Sequence, residues 1–141
     1  MYLDTSVAAK LYLAEPDSDE VEAIVRKGEG LFSSELLYGE LRSAILGKVR
    51  AKALSGEQAE AVWAKFQEHL DQAMFTLLPV NGVVVREATE VMVQVHPDIP
   101  LRILDAIHIA TFQGVDAGPF FTRDKRMLEA GRKLGLNLAG E

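Results

Sequence analysis

Short apolar runs alternate along the chain with longer stretches in which apolar residues return every three or four positions. A period near 3.6 marks the buried face of a helix, and a brief apolar block bounded by turn residues marks a buried strand. Met1 to Asp4 is such a block. Val7, Ala8, Leu11 and Tyr12 then recur at helical spacing as far as Glu15-Pro16, which predicts a strand followed by a helix. Asp17-Ser18 is expected to cap a second helix through Arg26, closed by Gly28 and Gly30. Leu31-Phe32-Ser33 has room only for a strand. Ser34 then caps a long helix striped by Leu37, Leu41, Ala44, Ile45 and Val49, and Ser55, with Glu57 and Gln58 behind it, opens another that runs to about Met74.

Phe75 to Val80 predicts the next strand, and Asn81-Gly82 leads into a helix whose face is Val84, Ala88, Val91, Met92 and Val95. The prolines of His96-Pro97-Asp98-Ile99-Pro100 require a loop. A helix over about Leu101 to Gln113 follows. Gly114 and Gly118-Pro119 break the chain before a buried strand at Phe120-Phe121-Thr122, Lys125 to Leu134 is the last helix, and Leu136 to Leu138 is the candidate for a final strand. Strands separated by helices pair in parallel, with the crossovers covering the sheet. The fold class is therefore α/β: a three-layer α/β/α sandwich on a mostly parallel sheet, formed as one domain over residues 1–141.

Composition narrows the chemistry. The 141 residues carry 15 Lys and Arg against 21 Asp and Glu, a formal net charge of −6, and no cysteine. That excludes thiol catalysis, zinc fingers and disulfide scaffolds, and leaves any metal to oxygen or imidazole. MYLDTSVAAK has no basic leader or cleavage site, and no apolar run approaches a membrane span. The expectation is a cytoplasmic protein with no membrane partner. An acidic balance also argues against binding nucleic acid by net charge alone.

Most acids sit where solvated acids belong, such as Asp19, Glu20 and Glu22 beside a helix start. Four do not. Asp4 ends the first strand and Asp124 follows the Phe-Phe-Thr strand; for each, helix capping is a sufficient reason. Glu40 lies beside the apolar stripe of its helix, where a boundary glutamate can reach solvent along its stem. Asp105 is the anomaly, set in Leu-Asp-Ala-Ile-His-Ile-Ala, where a buried charge must be paired, hydrogen-bonded or metal-bound. An ion pair to Arg102 or a bond to His108 would satisfy it. Topology connects the four, because in a parallel sheet Asp4, Glu40, Asp105 and Asp124 all fall toward the carboxyl edge, where open α/β sheets bind ligands. Four adjacent carboxylates need a cation, and an all-oxygen set suits Mg²⁺ or Mn²⁺.

The same residues carry a resemblance. Tyr-Leu-Asp-Thr-Ser at the amino terminus, Ser-Glu-Leu-Leu-Tyr-Gly-Glu-Leu-Arg-Ser-Ala, Leu-Asp-Ala-Ile-His-Ile-Ala and Thr-Arg-Asp-Lys-Arg-Met occur in the order found in PIN-domain proteins, and the chain is most similar to the VapC-type toxin ribonucleases among them. The resemblance implies Mg²⁺- or Mn²⁺-dependent hydrolysis of single-stranded RNA, with Asp4, Glu40, Asp105 and Asp124 as catalytic, metal-binding acids. Asp4 and Asp105 would be the principal ligands. Glu40, rather than nearby Glu35, takes the place of the helix acid, and Thr5 and Thr122 are expected to bond the metal's water shell. It further implies a homodimer and a cognate antitoxin covering the site.

Lys10, Arg42, Lys48, Arg50, Arg102, Arg123, Lys125 and Arg126 lie on or near the elements bearing the acids and are candidates for phosphate contact. His108 reads as a packed core histidine or a ligand. Trp63 and Phe66, at helical spacing with Val62 and Leu70, read as packing; His69 and His96 carry no signal. An RNA-processing nuclease without an antitoxin, or an inactive binding module of the same fold, would share these motifs. A phosphatase is a poor fit, since Asp4-Thr5-Ser6 lacks the second acid of an Asp-x-Asp nucleophile.

Overall fold

A computed structural model describes all 141 residues. Four short strands, β1 (Tyr2–Leu3), β2 (Leu31–Ser34), β3 (Phe75–Leu78) and β4 (Phe120–Phe121), form one sheet in the order β3-β2-β1-β4, every pair parallel. The helices are α1 (Thr5–Ala8), α2 (Ser18–Val25), α3 (Leu36–Arg50), α4 (Gly56–Asp71), α5 (Gly82–Val95), α6 (Ile103–Gln113) and α7 (Lys125–Lys133). None is long and apolar enough to cross a membrane.

The period-two alternation of the central strands separates two cores. Leu3 and Phe121 face one side, with Val7, Val21, Leu37, Leu41, Ile45 and Phe66. Tyr2 and Phe120 face the other, with Val91, Val95, Ile107, Ile109, Phe112 and Met127. Tyr2 stacks on Phe120 at 5.3 Å and meets Phe112 edge-on at 5.7 Å. The expected three layers thus form, with α1 to α4 on one face and α5 to α7 on the other.

Several caps form as the sequence predicts. Ser55 and Gln58 make a capping box on α4, and the Asn81 side chain accepts from the Val83 and Val84 N–H groups. Asp17 stands at the start of α2, but its side chain bonds Lys10 and makes no cap bond, and four further local expectations need correction. The first helix does not reach Tyr12: after α1, residues Ala9–Leu11 tighten into a 3-10 turn, which turns Tyr12 onto Phe66 of α4 at 5.5 Å. Its hydroxyl meets His69 Nδ1 at 2.7 Å, so His69 has a structural partner. Ser34 is the last residue of β2 rather than a helix cap; its Oγ accepts from Leu36 N–H, and the cap position falls to Glu35, whose side chain makes no cap bond. Arg102, extended, is the cap residue of α6, so that helix begins two residues late. The final strand shrinks to one parallel bridge between Leu138 and Phe120, because Gly135 and Gly140, at φ +69° and +79°, turn the chain on either side of it.

Candidate active site

Each acid reaches the carboxyl edge of the sheet by its own route. Asp4 follows β1 directly and is 2% exposed. Its Oδ1 accepts from the Val7 N–H at 3.0 Å and the Ser6 hydroxyl at 2.7 Å, so it does cap α1. Its Oδ2 accepts from the Thr122 hydroxyl at 2.6 Å. Thr122 Oγ1 in turn accepts from the Asp124 N–H at 3.0 Å, so one threonine ties the ends of the adjacent strands β1 and β4. Asp124 caps α7 by accepting from the Met127 N–H at 3.0 Å.

Asp105 lies buried in the first turn of α6. The Arg102 guanidinium forks onto it, Nε donating to Oδ2 at 2.9 Å and Nη2 to Oδ1 at 3.4 Å, and the same Nη2 stands 3.9 Å from Asp124. Of the two partners open to Asp105 in the sequence, Arg102 is the one it has, and His108 turns to Glu40. Glu40, in the second turn of α3, receives two bonds on Oε1: the Thr5 hydroxyl donates at 2.9 Å, and His108 Nε2 lies at 2.7 Å. His108 Nδ1 meets the Tyr2 hydroxyl at 3.0 Å. Glu35, by contrast, is exposed and outside the cluster.

Electrostatics separates these groups. Burial pushes the Asp4 carboxyl above its ordinary 3.8; the nearby His108 imidazole, the Thr122 and Ser6 hydroxyls and the Val7 N–H oppose the rise without cancelling it. Burial would raise Glu40 too, but His108, by hydrogen bond and by charge, prevails, aided by Thr5 and Arg102, and holds it below 4.5. Burial, reinforced by the Asp4 carboxylate, raises the Tyr2 phenol far above its usual value.

Two details depart from expectation. Thr5 and Thr122 bond carboxylates directly, one to Glu40 and one to Asp4. Thr122 joins Asp4 to Asp124 and Arg102 reaches from Asp105 toward Asp124, while Glu40 is held by a separate set of bonds to Thr5 and His108, and no three of the acids close on a point from which they could ligate a common ion. Of the basic candidates, Arg102 stands in the cluster. Lys10 and Arg123 line a cleft of about 380 Å³ beside it, shared with Thr5, Ser6 and Asp124. Arg42 lies on Trp63 at 4.9 Å and pairs with Glu60 at 2.8 Å; Lys48 lies 3.6 Å from Glu15; Arg50, Lys125 and Arg126 are exposed. Phe66 is core, as its spacing predicts, and Trp63 packs edge-on to Tyr38 at 5.0 Å. The sequence did not single out Tyr2, and it left His108 unassigned; the signal was a polar ring in an apolar helix, with no hint of a partner on α3.

A family model of the PIN domain matches residues 1–133. The chain is 36% identical over 138 residues to Ribonuclease VapC46 of Mycobacterium tuberculosis (strain ATCC 25618 / H37Rv), an alignment covering 96% of this chain and 93% of that one. Among solved structures, it superposes on Mycobacterium tuberculosis VapC20, described as a Sarcin-Ricin loop cleaving toxin, with a TM-score of 0.70 over 92% of this chain and 94% of that one, at 16% identity. That last likeness speaks to fold, while the first two carry family. With its acids at the carboxyl edge of a parallel sheet, the chain belongs to the PIN-domain family, close to the VapC-type ribonucleases.

Proposed function

We propose that this chain is a divalent-metal-dependent endoribonuclease that hydrolyses phosphodiester bonds of single-stranded RNA, the toxin of a toxin-antitoxin pair, acting as one unit over residues 1–141. Asp4, Glu40, Asp105 and Asp124 are its catalytic acids and the holders of Mg²⁺ or Mn²⁺. The observation that carries this reading is Arg102. Its guanidinium sits against Asp105 and near Asp124, within electrostatic range of Glu40, as a stand-in cation among three of the four acids. Being 62% exposed, it can leave without disturbing the core. The donor set it would vacate is all oxygen and strongly anionic, which fits a hard cation. When bound, the ion supplies an activated water and neutralises charge on the phosphodiester oxygens.

The protein's own part follows from its bonds. Thr122 fixes Asp4 and the start of α7 in one register, and Thr5 fixes Glu40. The chain has no cysteine and the cluster no serine-histidine pair, and the Thr5 hydroxyl, though 3.3 Å from His108 Nε2, donates to Glu40, which also occupies that nitrogen. Lys10 and Arg123 border the adjoining cleft, where an RNA backbone would pass. An antitoxin bearing a basic side chain suits the acidic cluster in place of Arg102, and a cytoplasmic homodimer with no membrane contact is the form expected. The 36% identity to a protein named a ribonuclease supports the activity.

The test is cleavage of a mixed RNA pool by the purified chain with Mg²⁺, Mn²⁺ or EDTA, beside Asp4→Asn. Cleavage that needs both the metal and Asp4 is the expected result. Cleavage that persists in EDTA, or in the folded variant, overturns the assignment.

A further inference from the structure

His108 is 2% exposed and Tyr2 is fully buried, in the apolar layer where Ile107, Ile109 and Phe112 also pack. A leucine at 108 would fill such a position without desolvating a polar ring. The imidazole is instead bonded at both nitrogens, to Tyr2 of β1 on one side and to Glu40 of α3 on the other. A carboxylate only accepts, so the proton on Nε2 points to Glu40, and Nδ1 on the far side of the ring is bonded to the Tyr2 hydroxyl, which holds the imidazole in that orientation. Thr5 donates to the same Glu40 oxygen, Oε1, and no protein group bonds Oε2.

We propose that Tyr2 and His108 are positioning residues for Glu40: the buried pair, with Thr5, anchors Oε1 and fixes the carboxylate plane, leaving Oε2 as the oxygen offered to a divalent cation. This rests on the metal-dependent nuclease reading. Losing an outer partner of a metal-holding carboxylate weakens metal affinity by about 10- to 100-fold, whereas loss of a packing residue lowers stability and leaves affinity alone.

The test measures Mn²⁺ affinity by counting free ion with electron paramagnetic resonance, beside thermal melts in EDTA, for the wild type, His108→Leu, His108→Gln, Tyr2→Phe and Glu40→Gln. His108→Leu is expected to bind Mn²⁺ about tenfold more weakly. His108→Gln, which can donate to Glu40 and accept from Tyr2, should recover most of that loss. Tyr2→Phe should lose affinity by a few-fold, and His108→Leu should cost nothing further once Glu40→Gln is present. Wild-type affinity in His108→Leu or Tyr2→Phe, or full additivity with Glu40→Gln, overturns the proposal. Should His108→Leu fail to fold, Tyr2→Phe and His108→Gln decide it: a weakened phenylalanine variant beside a near-normal glutamine variant supports it, and any other pattern overturns it. A wild type that binds no Mn²⁺ removes the nuclease reading itself, and the proposal with it; a wild type that binds, with unaffected variants, removes the proposal alone.

Discussion

Asp4 caps a helix while 2% exposed, so its charge carries a desolvation cost that a neutral amide of the same shape would avoid. Because its carboxyl is raised above 3.8 in the folded chain, the unfolded chain ionises first as pH rises, and folding loses stability through that interval. Asp4→Asn should therefore abolish cleavage and, in EDTA at neutral pH, melt higher than the wild type; an advantage of about 1 kcal/mol corresponds to roughly 3–4 °C at this size. Thermal melts across pH check it: the gap should close in acid, where Asp4 holds its proton in both states. Arg102 makes the opposite prediction. Arg102→Gln removes the cation that competes for Asp105 and Asp124, so Mn²⁺ should bind more tightly, roughly fivefold for an exposed pair, as titration calorimetry would show. Unchanged or weaker binding would mean that the guanidinium does not occupy the ion's place.

At the scale of elements, apolar periodicity together with capping and closing residues located every helix from α2 to α7, and the anomaly of one acid in an apolar helix located Asp105. What it could not locate were bonds between distant segments. Thr5 to Glu40 spans 35 positions and His108 to Glu40 spans 68, and neither leaves a mark in local pattern. The stop after α1 was hidden for a related reason, since Tyr12 fits a helical stripe in sequence but is drawn off it by Phe66 and His69 of α4. Convergence of the acids on a shared edge was readable from topology; the guanidinium among them was readable as a partner of Asp105 or a phosphate contact, but not its reach toward Asp124. The turn after α1 is itself held by charge, Lys10 lying 2.6 Å from Glu15 and 2.7 Å from Asp17. The hydrogen bond from Lys10 holds Glu15 below 4.5, so that part of stability is present at neutral pH and is lost as pH falls through the lowered value. Lys10→Met should lower Tm by a few degrees at pH 7, and the deficit should shrink as pH falls and Glu15 and Asp17 take up protons. A deficit that persists unchanged in acid would point to the lysine stem's packing instead.

For the molecule as a whole, the candidate site lies where the two cores meet. Glu40 is carried by α3 on one face of the sheet, Asp105 and Asp124 by α6 and α7 on the other, and Asp4 by the strand between. An ion held by acids from both faces binds the folded chain alone, so Mn²⁺ at 100 times its Kd should add about 2.7 kcal/mol and raise Tm by several degrees. Asp4→Asn should show little of that rise in the same scanning calorimetry, and an equal rise in the variant would place the ion elsewhere. The pairing of β1 with β4 brings Tyr2 beside Phe120, joining the first strand to one translated more than a hundred residues later. A growing chain therefore displays Asp4 and Glu40 long before Asp124 exists, and until then the carboxyl edge of the sheet is missing one wall. On the proposed activity, the polypeptide cannot cut the message that encodes it until β4 and Asp124 have been made and set beside β1, a delay imposed by topology alone.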